Sequence, residues 1–119
     1  MSDFVLLYRN TMDARRATMG SPEQAQQTMK RWQAWFKDLT DKGQLKNLGQ
    51  PLEDAGKVVG GRSKATITDG PYMETKDVIG GFSLIEARDL DQAAKIAAGC
   101  PIIETGGSVE VRPVRQMTL

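Results

Sequence analysis

Residues 21–43 read SPEQAQQTMKRWQAWFKDLTDKG and predict one long amphipathic helix. Ser21 can cap the first turn, Pro22 suits the first helical position, and Gln24 can complete a capping box. The apolar side chains that follow recur at spacings of three and four, which places them on one face. They are Ala25, Met29, Trp32, Phe36 and Leu39, with Trp35 widening the face. Gly43 supplies a left-handed stop, so the predicted helix spans residues 22–42.

Strands are predicted on both sides of this helix. Residues 4–8 are continuously apolar and indicate a strand buried on both faces, followed by a loop over residues 10–20. Residues 57–59 and 64–68 flank the turn signal Gly60-Gly61, which predicts a hairpin. Residues 45–48 are either a short strand or the entry to a loop. The remaining elements are a long loop over residues 69–80, a strand over residues 81–87, a helix capped by Asp89 and Gln92 and ended by Gly99, and a strand over residues 108–114.

This order predicts a single α+β domain over residues 1–119, built as a ferredoxin-like βαββαβ subunit. Two helices can cover only one face of such a sheet. The apolar residues on the other face then need a second subunit, and face-to-face packing of two sheets would supply it. The sequence therefore predicts a homodimer.

Composition removes several classes of function. The chain has no histidine, which excludes catalysis and metal binding that depend on imidazole. Its single cysteine, Cys100, cannot form an internal disulfide, which fits a reducing cytoplasm. A net charge of +1 gives no electrostatic case for nucleic acid or anionic membrane as a partner. The N-terminus shows neither a secretory signal nor an apolar run of membrane-spanning length. We expect a cytoplasmic protein with no cofactor and no metal.

Residues 68–82, TDGPYMETKDVIGGF, carry the most specific pattern in the chain. This pattern resembles the DGPF branch of the YCII-related family, whose signature is Asp-Gly-Pro-Phe, then Glu-Thr-Lys, then Gly-Gly-aromatic. Tyr72 takes the place of the signature phenylalanine. The likeness extends from the helix opening at Ser21 to residues 109–113, and so covers nearly the whole chain. It implies a subunit that pairs into a dimeric α+β barrel.

The resemblance implies less about activity. Some YCII-related proteins are thought to use a His-Asp pair, and the corresponding positions here fall near Trp32 and on Cys100. That chemistry is therefore not expected in this chain. Members of the DGPF branch also occur beside or fused to sigma-factor-like transcription proteins, which implies a possible transcription-protein partner.

Candidate site residues cluster around the signature. Asp69 and Glu74 are the candidate catalytic acids or bases, because carboxylates can transfer protons when burial raises their pKa. Asp69 could instead only shape a turn with Gly70 and Pro71, and Lys76 could simply form an ion pair. Gly80-Gly81 predicts a bulge or a close backbone approach. The candidate ligand-binding residues are Gly70, Pro71, Tyr72, Thr75, Lys76 and Tyr8.

Two functions follow as hypotheses. The first is binding of a small molecule, or cofactor-free acid–base catalysis, near the loop over residues 69–76. The alternative is a non-enzymatic dimeric interaction module associated with sigma-factor-type transcription regulation. A third interpretation is a purely structural subunit, in which the loop serves only the dimer barrel. The remaining features have structural interpretations. Trp32 and Trp35 are expected to pack in the core or at an interface, and Arg15 and Arg16 to form part of a solvated basic face. Substrate, reaction and partner are not identified by the sequence.

Overall fold

A computed structural model describes residues 1–18, 20–70 and 78–117 of the chain. The strands are β1 (Ser2–Asn10), β2 (Leu45–Pro51), β3 (Gly56–Gly60), β4 (Thr66–Gly70), β5 (Val78–Ala87) and β6 (Ser108–Pro113). The helices are α1 (Met12–Thr18), α2 (Pro22–Asp41) and α3 (Leu90–Ala97), with a 3₁₀ turn at Pro101–Thr105. The α+β class is confirmed.

Four strands form one antiparallel sheet in the order β2-β5-β1-β6, and β3 and β4 form a separate two-stranded hairpin. If the hairpin is left out and α1 and α2 are treated as one helical segment, the remaining elements follow the order strand, helix, strand, strand, helix, strand. These elements are β1, α1–α2, β2, β5, α3 and β6. The central position of β1 and β5 explains why these two strands are the most apolar in the sequence. The predicted hairpin is confirmed.

The long helix follows the sequence pattern. The Ser21 hydroxyl accepts from the Gln24 backbone N–H at 3.1 Å, and Gly43 has a φ of 70°. Trp35 and Leu39 are buried, and Trp32 and Phe36 are partly buried against the same core. Met29 was expected on this face, but it is 53% exposed because it lies toward the N-terminal half, away from the buried residues.

The core lies between the helices and one face of the four-stranded sheet. Phe4, Leu6 and Tyr8 of β1 are buried, whereas the alternate residues Val5 and Leu7 are only half-buried. The expectation that β1 is buried on both faces is therefore wrong for this chain. A strand exposes alternate side chains to opposite faces, and the described helices cover only one of them.

Two loop predictions need correction. Residues 12–18 form α1, which the polar sequence Asp13-Ala14-Arg15-Arg16 did not indicate by apolar periodicity. The predicted loop over residues 69–80 is wrong at both ends, because Asp69 and Gly70 complete β4 and residues 78–80 begin β5, and its middle lies outside the described residues. The second predicted helix is α3, and it is capped as predicted, since the Asp89 side chain accepts from the Gln92 backbone N–H at 2.8 Å. Gln92 in turn accepts from the Arg88 N–H at 2.6 Å.

Candidate functional site

Only some of the predicted site residues fall within the described parts of the chain. Asp69 and Gly70 end β4, and Tyr8 lies in β1. The other predicted residues lie outside the described residues: Pro71, Tyr72, Glu74, Thr75 and Lys76. The site is therefore described from the residues that precede and follow residues 71–77 in the sequence and from their partners in the sheet.

Asp69 lies on the exposed surface of the hairpin. Its side chain is 89% exposed and forms an ion pair with Lys57, its register partner on β3. Such a pair between two exposed side chains contributes little to stability. A carboxylate that acts as a general base needs a site shielded from water, and the Asp69 side chain is almost fully exposed. Asp69 is therefore one member of a cross-strand ion pair within the hairpin.

Tyr8 lies at the buried end of a short hydrogen-bonded relay. Its hydroxyl donates to Ser83 Oγ at 2.8 Å, and the Ser83 hydroxyl donates to the Leu48 carbonyl oxygen at 2.7 Å. Trp32 packs edge-on against the Tyr8 ring, with the two ring centroids 4.8 Å apart. Burial raises the pKa of the Tyr8 hydroxyl. Tyr8 therefore acts here as a neutral hydrogen-bonding group.

Asn10 is two residues further along the same face of β1 and was not predicted as a site residue. The residue is 6% exposed, and its side-chain oxygen Oδ1 has no hydrogen-bond partner among the described residues. Asn10 pairs in register with Val78, the residue that directly follows residues 71–77. A buried acceptor without a donor is uncommon in proteins. This unpartnered oxygen therefore belongs to the register partner of Val78, the first described residue after residues 71–77.

Arg15 of α1 lies over the start of β5. Its guanidinium bonds to Asp54 at 2.6 Å, and its central carbon is 3.4 Å from where a Cβ on Gly80 would stand. Tyr8 pairs with Gly81 and Arg9 with Ile79, so Gly80 is the extra residue of a bulge, as the Gly-Gly pair predicted. The sequence missed this role for Arg15 because α1 was predicted as a loop.

Cys100 is buried and is not placed for nucleophilic chemistry. Burial raises the pKa of the Cys100 thiol to about 12, which keeps the sulfur protonated and unreactive. Among the described residues, no group of three or more Cys, Asp or Glu side chains could hold a metal ion. No helix formed by the described residues is long and apolar enough to cross a membrane.

The match to known families is decided by one comparison. A model of the YCII-related domain matches residues 4–118. The chain belongs to the YCII-related family. No curated protein matches it. The resemblance implied a His-Asp pair near Trp32 and at Cys100, and this YCII-related domain has no histidine and a cysteine at the second position. Trp32 packs in the aromatic cluster with Tyr8, and Cys100 is buried. The described geometry therefore places Tyr8 and Asn10 opposite Gly81 and Val78 of β5, with Arg15 over Gly80 between them, and Asp69 exposed on the hairpin.

Proposed function

We propose that this YCII-related domain, which we assign to the DGPF branch, binds a small molecule at the end of the sheet where β1 and β5 meet residues 71–77. Asn10 is the central recognition residue of this site, and Tyr8 and Arg15 lie beside it. The substrate class that this geometry supports is a small polar molecule carrying an N–H or O–H donor.

The unpartnered Oδ1 of Asn10 is the observation that carries the proposal. Leaving a buried acceptor without a donor costs about 1–3 kcal/mol, which the fold must offset elsewhere. A ligand that donates a hydrogen bond to this oxygen removes that cost on binding. The buried residues that specify orientation in ligand sites are typically few and polar, as here.

Chemistry at this site would be cofactor-free acid–base catalysis. Of the two candidate carboxylates, Asp69 is exposed and paired with Lys57. The role of general base therefore falls to Glu74, with Tyr72, Thr75 and Lys76 of the same segment as binding residues. The proposal requires burial to raise the pKa of Glu74, because a base works best when its pKa is near the working pH.

A thermal-shift screen of a metabolite library tests the site, using wild-type protein and the Asn10→Leu and Glu74→Ala variants. A ligand at a hundred times its dissociation constant stabilises the protein by about 2.7 kcal/mol. We expect a compound that shifts the wild-type midpoint and fails to shift Asn10→Leu.

The matched control is Asn47→Leu, the same substitution at an asparagine whose Oδ1 already accepts from the Gly49 N–H at 2.8 Å. This variant should retain the shift. A compound that stabilises Asn10→Leu as much as the wild type contradicts the site. A shift that depends on Asn10 and is unchanged in Glu74→Ala supports binding and contradicts the assignment of Glu74 as the base.

We also propose that two copies pack through the open face of the four-stranded sheet to form a dimeric α+β barrel. The open face is the side opposite the helices, and its apolar residues are Val5, Leu7, Ile79, Phe82 and Leu84. Ion pairs flank it: Arg9 bonds Glu110 at 2.9 Å and Lys46 bonds Asp3 at 2.6 Å. An apolar centre with a polar rim is typical of protein interfaces.

Light scattering after gel filtration tests the dimer. The proposal expects twice the chain mass of 13.1 kDa for the wild type and a lower mass for Leu84→Glu. Leu90→Glu is the control, because Leu90 is an exposed leucine at the start of α3. A wild-type mass of 13.1 kDa at all concentrations contradicts the dimer. Association with a sigma-factor-type transcription protein stays a prediction, and it requires apolar surface beyond the dimer contact.

A further inference from the structure

The β3–β4 hairpin is an arm that projects from the rest of the chain. Every described residue of β3 and β4 is exposed except Gly70, which is partly buried. The hydrogen bonds of these two strands, among the described residues, all join the hairpin to itself. The chain has a radius of gyration of 16.0 Å. A compact domain of this length has about 13.5 Å, so an extended element is required.

The arm presents apolar side chains to solvent. Val59 and Ile67 are a directly opposed pair on one side of the hairpin, 62% and 69% exposed, and Val58 is 51% exposed on the other side. A two-stranded hairpin alone is at best marginally stable in water, and it gains stability by packing on another surface. The described residues of the same chain provide no such surface for Val59 and Ile67.

We infer that this arm docks on a second copy of the chain, with Val59 and Ile67 as its contact residues. The inference rests on the proposed face-to-face dimer and adds a second contact region to it. Each copy then offers one arm and receives one arm, which a twofold axis satisfies because the two contacts are identical.

The area of the sheet face argues for this added contact. Four strands about 4.8 Å apart make the face about 19 Å wide, and strands of about eight residues make it about 26 Å long. The open face therefore has a flat footprint of about 500 Å². A stable dimer buries about 800 Å² of accessible surface on each partner, so a face of this size forms a small interface that an arm from each copy can enlarge.

The position of the arm in the chain is consistent with this contact. Seven residues separate Gly70, the end of the arm, from Val78, the start of β5. Ile79 follows at once, is 42% exposed and shares the open face with Arg9, its register partner. The root of the arm is thus close in sequence to the apolar surface of the proposed dimer. The Lys57–Asp69 pair places opposite charges next to each other on the same side as Val59 and Ile67.

Sedimentation velocity across a concentration series tests the arm with the double variant Val59→Ser, Ile67→Ser. We expect its dimer dissociation constant to rise at least tenfold relative to wild type. The matched control is Met29→Ser, which removes an exposed apolar side chain from α2 on the helical side of the molecule. This control should leave the constant unchanged.

The outcomes separate the arm from the dimer itself. A wild-type chain that is monomeric throughout the series overturns both the face-to-face dimer and the arm contact. A wild-type dimer whose constant is unchanged in the double variant overturns the arm alone. A double variant that keeps the circular dichroism spectrum of the folded wild type and has a weakened dimer supports the arm, because the loss is then confined to association.

A second measurement reports on where the arm lies. A benzoylphenylalanine photo-cross-linker replaces Ile67, and protein labelled with ¹⁴N is mixed with protein labelled with ¹⁵N before irradiation. Cross-linked peptides that combine the two labels support contact between copies. Cross-links found only within one label, in a sample that is dimeric, contradict it.

Discussion

The Tyr8 hydroxyl lies 2.8 Å from Ser83 Oγ and donates to it within the core, joining β1 to β5 by side chains as well as by the backbone ladder. Tyr8→Phe removes this bond without creating a large cavity. We expect a loss of about 1 kcal/mol of unfolding free energy, because a net intramolecular hydrogen bond is worth about that much. Urea unfolding measures it.

Ser83→Ala extends this prediction, because Ser83 both accepts from Tyr8 and donates to the Leu48 carbonyl at 2.7 Å. Its removal leaves a buried hydroxyl without an acceptor. Leaving a buried group unsatisfied costs about 1–3 kcal/mol, so Ser83→Ala should destabilise more than Tyr8→Phe. The reverse order would show that the relay does not hold the two strands together.

The free energy of unfolding should fall at alkaline pH, and the first group responsible is the buried thiol of Cys100. Burial raises the pKa of its thiol from 9.0 to about 12, so the folded state retains a proton that the unfolded state loses. This contribution is complete below pH 9 and is lost as the pH rises toward 12, at up to about 1.4 kcal/mol per pH unit. Tyr8, whose pKa is also raised by burial, adds to the loss above pH 10.

The window between pH 9 and pH 10 isolates the cysteine. Urea midpoints of wild type should fall across this window, and those of Cys100→Ala should stay nearly level. Tyr8→Phe should keep the wild-type slope there and lose part of it only above pH 10. Equal slopes for wild type and Cys100→Ala between pH 9 and pH 10 would contradict this account.

The local signals in the sequence predicted the regular elements well. The cap at Ser21, the stop at Gly43 and the Gly60-Gly61 turn each rest on contacts within a few residues, so they can be deduced from neighbours in the chain. Alternation in residues 4–8 could not be deduced, because every side chain there is apolar. Which face is covered depends on where the helices pack, and that is a tertiary fact.

The candidate site was harder to predict than the fold. Asn10 belongs to no motif, and its significance comes from burial without a hydrogen-bond donor among the described residues, which only three-dimensional packing produces. Arg15 lies on a helix whose polar sequence lacks apolar periodicity. Asp69 is the opposite case to Asn10: it lies in a conspicuous sequence motif, but its side chain is exposed on the hairpin. Sequence motifs indicate where a family signature lies, and burial indicates which nearby groups a ligand can satisfy.

Two glycines with the same backbone conformation should respond differently to alanine. Gly49 and Gly43 have φ of 73° and 70°, which an L side chain rarely adopts. A Cβ on Gly49 would stand 1.7 Å from the Phe82 carbonyl oxygen, whereas a Cβ on Gly43 would meet nothing within 4 Å. Gly43→Ala should cost about 1 kcal/mol, the range for left-handed backbone strain.

Gly49→Ala must also displace β2 from β5, so its cost should exceed that of Gly43→Ala by at least about 2 kcal/mol, within the range of severe single substitutions. Thermal unfolding of both variants compares them directly. Similar midpoints for the two would show that the close approach of Gly49 to Phe82 relaxes without loss of pairing.

Asn10→Leu should stabilise the ligand-free protein, an unusual sign for a substitution at a buried polar residue. Leucine has the same branched shape as asparagine and a larger volume, and it removes the unpartnered Oδ1 from the core. Removing an unsatisfied acceptor should recover about 1–3 kcal/mol and raise the thermal midpoint by about 4 °C for each kcal/mol. Asn47→Leu should instead destabilise the protein, because it removes the hydrogen bond that Asn47 Oδ1 accepts from the Gly49 N–H.

Differential scanning calorimetry of both variants without ligand decides the matter. A midpoint for Asn10→Leu below that of wild type would mean that Asn10 serves the fold, and the argument for a ligand at its oxygen would lose its basis.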